Sequence, residues 1–310
     1  MFSKIIAALS ALVTSFIMLF IPASQPGELP ETSMPVVDVN PNAVAKAEAY
    51  QDVTVMSYNV YISGKNLRAP EVRSEYITAN IKNYVPDSFG VQEADKAWTD
   101  RLEAALPEYA RVGIYRDDGV EAGESSSVFY LKNKYNLVES GNFWLSETPD
   151  IPSRGWDAAC NRICTYAVLE NKETGFRYVH FNAHFDHVGR QAMAESVALL
   201  SNKIADLYPD LPVVVTGDFN FSEGSANYQN VLKSGLRDTK HLAETSDSGA
   251  TYHGYQLIVA TDKPIDYIWV NDYASAVESY TIDRTLYNLT YSSDHHPVIS
   301  KITLFNGGEN

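Results

Sequence analysis

The chain has 310 residues, 45% of them hydrophobic and 20% charged, which is enough to bury a sizeable core and too apolar for a disordered chain. With 17 Gly and 14 Pro it is neither fibrous nor of low complexity. A formal net charge of −15 and the lack of any basic tract exclude a surface that holds a polyanion by bulk charge, although bound cations can reverse the sign locally.

Residues 5–21 (IIAALSALVTSFIMLFI) are an apolar to weakly polar run behind Lys4, long for a signal-peptide core and slightly short for a membrane span of about 20 residues. Ile21 and Ala23 have the spacing of a signal-peptidase site. Residues 1–24 are therefore expected to be a signal peptide, with a retained N-terminal anchor as the alternative. The protein is expected to be exported and secreted, touching a membrane only where that segment is kept. Residues 25–50 carry four prolines and no period, which reads as a linker before a single domain over 51–310, expected to be monomeric.

Within that domain the pattern predicts a strand over Val53–Val60. A helix follows over Glu71–Tyr84, with Ile77, Ile81 and Tyr84 on one face. A strand over Ser88–Gln92 leads to Glu93, and a second helix spans Lys96–Leu106. Strands are predicted over Ala110–Ile114, Ser127–Leu131 and Thr165–Glu170, the last turning at Lys172–Gly175 into Arg177–Ala183. His180 alternates inside that strand and reads as a core residue. Met193, Val197, Leu200, Ile204 and Leu207 form the clearest helical stripe, closed by Pro209 and Pro212. Later strands are Val213–Thr216, Tyr267–Val270, Ala276–Ile282 and Val298–Leu304. Alternating strands and helices with interspersed hairpins predict an α/β domain with mixed sheets. Cys160 and Cys164 are either a local disulfide or two buried thiols.

Polar residues suited to catalysis stand at the ends of these strands: Asn59, Glu93, His184, Asp218 with Asn220, Asp266, and Asp294 with His295. In α/β proteins such ends line one rim, where residues far apart in sequence converge. The oxygens of Asn59, Glu93, Asp218, Asn220 and Asp294 suit Mg²⁺, with Mn²⁺ or Ca²⁺ as options, better than zinc. His184 and His295 offer imidazoles that donate to a phosphoryl oxygen or take a proton from water. Asp266 is placed to orient His295 and raise its pKa. Arg154 and Arg162 are candidate anion contacts, because guanidinium grips phosphate bidentately. His253 is a candidate substrate contact or a packing residue. No G-x-S-x-G and no glycine-rich phosphate loop is present.

The ordered series Tyr58-Asn59, Gln92-Glu93, His184, Gly217-Asp218-Phe219-Asn220, Ile265-Asp266-Tyr267-Ile268 and Ser293-Asp294-His295-His296-Pro297 resembles the endonuclease/exonuclease/phosphatase superfamily over about Asp52 to Phe305. The resemblance implies a four-layer sandwich, two mixed β-sheets packed face to face with helices outside. It implies Glu93 as principal metal ligand, Asn59 nearby and Asp294 as a further ligand or a partner in the metal's shell. Asp218 and Asn220 would orient water and the phosphoryl group, and His184 would contact a non-bridging oxygen. Asp218 and His295 both remain candidates for the general base. The expected activity is metal-dependent phosphoester hydrolysis, first of all as a phosphodiesterase. An exported deoxyribonuclease-like nuclease, acting on nucleic acid without a basic tract, and a non-catalytic surface binding protein are the alternatives.

Overall fold

The computed structural model describes Tyr50–Asn306. The expected leader over 1–24 and the linker as far as residue 49 lie outside the described residues. The elements are β1 (Tyr50–Asn59), α1 (Pro70–Tyr84), β2 (Ser88–Gln92), α2 (Lys96–Ala105), β3 (Tyr109–Val112), β4 (Val128–Leu131), β5 (Tyr135–Trp144), β6 (Ile163–Asn171) and β7 (Arg177–His184). They continue with α3 (Arg190–Leu207), β8 (Val213–Asp218), α4 (Ala226–Lys233), β9 (Arg237–Asp238), α5 (Thr239–Leu242), β10 (Ala243–Ser246), β11 (Asp266–Val270), β12 (Ala274–Ile282), β13 (Leu286–Tyr287), β14 (Thr290–Tyr291) and β15 (Val298–Phe305).

One sheet has seven strands in the order β10-β12-β15-β1-β2-β4-β3, and the other has six in the order β5-β6-β7-β8-β11-β9. Both are mixed: β1–β2 and β7–β8 run parallel, whereas β1–β15 and β8–β11 run antiparallel. The strand period of two sorts side chains onto opposite faces. In β1, Val53 and Val55 enter the core between the sheets, and Met56 and Tyr58 pack with Ile77, Ile81, Trp98 and Leu102 of α1 and α2. In β8, Val214 faces the other sheet, and Val213 and Val215 pack under Val197, Leu200 and Ile204 of α3 and Tyr228 and Val231 of α4. Three apolar clusters thus separate four layers, the expected sandwich.

Two readings of the sequence are corrected and one open alternative is decided. The helical stripe of α3 buries Ala192, Ser196, Val197, Leu200 and Ile204, while Leu207 is 41% exposed. Tyr208, just past the helix, covers that end by packing edge-on against Tyr166 and Phe181. Strand β5 escapes the pattern because it is a sheet edge with little apolar alternation, five consecutive residues after Tyr135 being exposed. Cys160 and Cys164 are free thiols, Cys164 buried in the cluster under α3 and Cys160 half-buried.

Towards one rim the inter-sheet core turns polar. Gln92 Nε2 donates to Asn182 Oδ1 across the sheets at 2.7 Å, and Asn182 Nδ2 donates back to the carbonyls of Val91 at 2.8 Å and Ser127 at 3.0 Å. Thr216 Oγ1 donates to the same Asn182 oxygen at 3.0 Å. His180, fully buried, spans Ser88 Oγ at 2.7 Å and Thr216 Oγ1 at 2.8 Å. Burial pushes its pKa down to about 3, so it is a neutral hydrogen-bonding link. The sheets approach closely enough here that a Cβ on Gly90 would meet Thr216 Oγ1 at 2.2 Å and Asn182 Oδ1 at 2.4 Å. Gly90→Ala should therefore cost about 1–3 kcal/mol, the scale of an overpacked core. Urea denaturation measures it, and an unchanged midpoint would contradict the close approach.

Candidate active site

Sheet register brings the polar strand ends together. Asn59 is the last residue of β1, and Glu93 directly follows β2, which runs parallel beside it. In the other sheet His184 pairs with Asp218, and Asp218 pairs with Asp266 across β8 and β11. Because β15 runs antiparallel to β1, its entry segment Asp294-His295 reaches the same rim. The segment Thr251–Gly254 pins that entry: His253 N and Gly254 N donate to Asp294 O, and His296 N donates to Thr251 O. The result is a cleft of about 340 Å³ whose lining includes Glu93, His184, Asp218, Asn220, Asp294 and His295.

The cleft floor is crowded with carboxylates. Asn59 Nδ2 donates to Glu93 Oε1 and to Asp218 Oδ2, both at 3.0 Å, and holds the two acids side by side. Its Oδ1 accepts from Tyr61 N at 3.0 Å, and Ile62 N donates to Glu93 Oε2 at 3.1 Å. His295 Nδ1 meets Asp266 Oδ2 at 2.8 Å, and its Nε2 lies 3.7 Å from Asp218 Oδ2. Burial, and then the charge of Asp266, push the Asp218 carboxyl well above the usual carboxylate range. Burial likewise raises Asp294 to about 6, with Glu93 adding to the effect and His295 opposing it. Burial works against charge on His295, but Asp266 and then Asp218 outweigh it and hold the imidazole protonated at neutral pH.

His184 is different. Burial, aided by the charges of Arg162 and Arg116, keeps it neutral. Asn220 Nδ2 donates to Phe185 O at 3.0 Å, which sets the amide orientation, and the same nitrogen lies 3.1 Å from His184 Nε2. That ring nitrogen accepts, so the proton sits on Nδ1. Glu93 and Asn220 both adopt left-handed backbone, with φ of 58° and 52°. Non-glycine residues in that region carry strain, and such strain collects at functional sites.

Asp218, Asp266 and His295 bring three potential metal-ligating atoms within 4.8 Å of one another. A protonated imidazole has no lone pair for an ion, however. The carboxylates of Glu93 and Asp294, with Asn59 beside them, are the hard-oxygen set that fits a divalent cation such as Mg²⁺. Their crowding, visible in the raised Asp294, is relieved by positive charge.

The lining also carries two arginines, each paired with a carboxylate, and most of this part has no motif that reveals it in the sequence. Arg116 forms a two-pronged pair with Glu124 at 2.5 and 2.8 Å in the loop before β4. Arg162, 4% exposed, donates through Nε to Asp186 at 3.3 Å and through Nη2 to His187 Nδ1 at 2.9 Å. Arg116, Glu124, Cys160, Arg162 and His187 all line the cleft, as do Tyr61 and Tyr252. Arg73 was also missed. Its fully buried guanidinium donates to the carbonyls of Arg68, Val60, Ser292, Tyr61 and Ser63, tying the loop after Asn59 to the loop before Asp294. Four sequence candidates are not in the cleft lining: Asn59 and Asp266 sit behind it, bonded to Glu93, Asp218 and His295, whereas Arg154 and His253 are not bonded to that group. Arg154 is exposed on the loop after β5. His253 is 3% exposed and packs against His296, the rings tilted by 32° with centroids 4.1 Å apart.

The fold and this constellation are those of a phosphoester hydrolase family. The model of the endonuclease/exonuclease/phosphatase family matches residues 56–295, and the chain belongs to that family. A family member of known structure from Bacteroides thetaiotaomicron is 33% identical with a TM-score of 0.79, covering 82% of this chain and 98% of that one. A mannosyl-6-phosphatase from the same organism is also 33% identical, with a TM-score of 0.76, covering 81% of this chain and 99% of that one. Among sequence relatives, the 2',5'-phosphodiesterase 12 of Bos taurus is 22% identical over 276 residues, which span 73% of this chain and 44% of that protein. An uncharacterised protein of Acanthamoeba polyphaga mimivirus is 29% identical over 160 residues, 48% of this chain and 59% of the viral one. The chain thus spans about half the length of these two relatives.

The Asp266–His295 contact has a pH signature. Removing the carboxylate with Asp266→Asn should lower the imidazole pKa, because the nearby negative charge favours the protonated ring. With His295 acting as the cation, the alkaline limb of kcat/KM should move to lower pH. With His295 as the base, the acidic limb would move to lower pH instead. The raised His295 favours loss on the alkaline side, and superimposable profiles would remove Asp266 from the site.

Proposed function

We propose that the chain is a divalent-metal-dependent hydrolase in which water attacks the phosphorus of a phosphoester, a phosphodiester in the first instance. The observation that carries this reading is the convergence of Glu93, Asp218, Asp294 and His295 on one cleft, with Asn59 bonded to the first two and His295 bonded to Asp266. Glu93 and Asp294 would hold the ion, Mg²⁺ by donor chemistry with Mn²⁺ or Ca²⁺ as options. The ion would neutralise charge growing on the phosphoryl oxygens. Asp218, with its raised pKa, is a carboxylate able to take a proton from water near neutral pH. Asn59 keeps that carboxylate aimed, and Asn220 orients the reactants beside it. His295, charged, stabilises the same developing negative charge from the other side. His184 offers a neutral polar contact.

Two observations bear on the substrate. The likeness to a 2',5'-phosphodiesterase supports a diester, and the nuclease alternative sits within that reading. The likeness to a mannosyl-6-phosphatase over nearly all of its chain, together with the arginines of the lining, supports a monoester as the second reading. With the site residues all filled, a non-catalytic binding protein is the weakest alternative. Export rests on the apolar run at 5–21 alone.

Glu93→Gln or Asp294→Asn keeps shape while removing one negative ligand, and should lower the rate at least about 10²-fold, the scale for one major electrostatic contributor. Excess EDTA should abolish turnover, and added Mg²⁺ or Mn²⁺ should restore it. Near-normal turnover of a bis-aryl phosphodiester by the Glu93→Gln protein, or full activity in EDTA, would refute the proposal.

A further inference from the structure

A second cavity shares Tyr61 with the carboxylate cleft: a groove of about 630 Å³ whose lining carries cations and no carboxylate. It is built by the loop after β1, the start of α1 and Tyr255, and its cations are Lys65 and Arg68. Both are exposed, and among the described residues neither side chain is in an ion pair. Arg68 lies over the ring of Tyr255, its guanidinium carbon 4.2 Å from the centroid, and Tyr255 meets Tyr61 edge-on at 5.9 Å. The contact with the ring orients the Arg68 head without consuming its N–H groups. The loop itself is firmly held. Buried Arg73 draws the carbonyls of Tyr61, Ser63 and Arg68 onto its guanidinium. Gly64, at a φ of 136°, lets the chain double back so tightly that a Cβ there would meet Arg68 O at 1.8 Å. The same loop is bonded to the carboxylate floor, through Tyr61 N to Asn59 Oδ1 and Ile62 N to Glu93 Oε2. Groove and floor are therefore fixed relative to one another.

We propose that this groove receives a second phosphate of the substrate, carried beyond the scissile diester, with Lys65 and Arg68 as its contacts. The inference rests on the phosphodiester-hydrolase reading and names the kind of diester. Its substrate bears a further phosphate on the same molecule, either the next diester of a nucleotide chain or a terminal phosphate. A chain with a formal net charge of −15 repels anions as a whole, so two unpaired cations in one acid-free groove make a local exception beside the cleft. Guanidinium and ammonium groups pair with phosphate oxygens through charge-assisted hydrogen bonds. Tyr61 and Tyr255 add aromatic rings to the same surface, and cations among aromatic rings are the combination that tracks a phosphate backbone and stacks its bases. A diester without a second phosphate leaves Lys65 and Arg68 unused. One that reaches them gains binding energy away from the reacting phosphorus, which positions the scissile group over the floor.

The test uses thymidine compounds that share one diester and differ in the second phosphate: the dinucleoside monophosphate, its 5'- and 3'-phosphorylated forms, and the trinucleoside diphosphate. Each is given to the full chain in saturating Mg²⁺, beside bis(4-nitrophenyl) phosphate, and kcat/KM is measured. Where a compound is not hydrolysed, calorimetric titration gives its affinity instead. A second phosphate should raise kcat/KM or affinity at least about 10-fold over the dinucleoside monophosphate, the scale of a hydrogen bond to a charged group. A gain confined to one phosphorylated dinucleotide assigns a terminal phosphate, and a gain on the trinucleoside diphosphate assigns a chain. Either upholds the subsite. The double variant Lys65→Gln/Arg68→Gln should lose the gain, while turnover of bis(4-nitrophenyl) phosphate changes less than about 2-fold. Added NaCl should shrink the gain in the wild type, because both cations are exposed to screening. A wild type indifferent to the second phosphate, or a gain that survives the double substitution, would overturn the inference. So would equal losses on every compound. If the second phosphate tightens binding through Lys65 and Arg68 but no ester is hydrolysed, the subsite stands and the hydrolase reading falls. If the bis-aryl diester is hydrolysed and the second phosphate adds nothing, the reverse holds.

Discussion

The floor of the cleft gathers more buried negative charge than the protein's own cations neutralise, and the rest of the site is arranged around that imbalance. Glu93, Asp218, Asp266 and Asp294 meet at one rim, and His295 is the cation lodged among them. Like charges brought together in a low-dielectric pocket resist ionisation, which is why Asp218 and Asp294 are raised rather than lowered. Arg73 lies close by, but all five of its hydrogen bonds go to backbone carbonyls. It fastens two loops instead of pairing with an acid. The protein thus holds the carboxylates in place by amides and backbone N–H groups, Asn59 and Ile62 above all, and leaves their charge available to a cation.

Holding such a floor requires a rigid base, and the polar seam under the rim supplies it. An apolar interface between two sheets tolerates sliding, because dispersion and hydrophobic contact have little directionality. Asn182, bonded at once to Gln92, Thr216 and two carbonyls of the facing sheet, does not. Gln92 immediately precedes Glu93, Thr216 lies two residues before Asp218, and Asn182 lies two residues before His184. The seam therefore fixes the register of one sheet against the other within one or two residues of the groups that do chemistry. Buried polar bonds of this kind favour a single arrangement, although Gln92 Oε1 is left without a partner in the seam.

Much of this was legible in the sequence, for reasons that can be stated residue by residue. Strands buried on both faces, such as Val213–Thr216, announce themselves as apolar runs, and the acids and histidines at their ends stand out against that background. Family motifs then supplied the roles. The paired arginines of the lining were harder. Arg116 and Glu124 lie in a loop without periodicity, and nothing local to either tells that they share a cleft with Glu93. Arg162 was visible as an anion candidate, but its fixed orientation depends on Asp186 and His187, a contact between separate loops. Arg154 looked equivalent to it in sequence and is exposed instead, because the chain turns at Gly155 and the following left-handed Trp156 before re-entering the cleft at Cys160. His253 carried the same ambiguity, and packing against His296 absorbed it.

The central claim is that a divalent cation completes the charge balance of the carboxylate floor. Thermal melting of wild type and Asp294→Asn, each in EDTA and in saturating Mg²⁺, tests it most directly. The account predicts opposite signs in the two conditions: without metal the variant melts higher, because a crowded buried charge is gone. With metal the wild type gains stability by binding and the variant gains little. A wild type whose melting temperature does not respond to Mg²⁺, Mn²⁺ or Ca²⁺, or a variant that gains as much from metal as the wild type does, would contradict it.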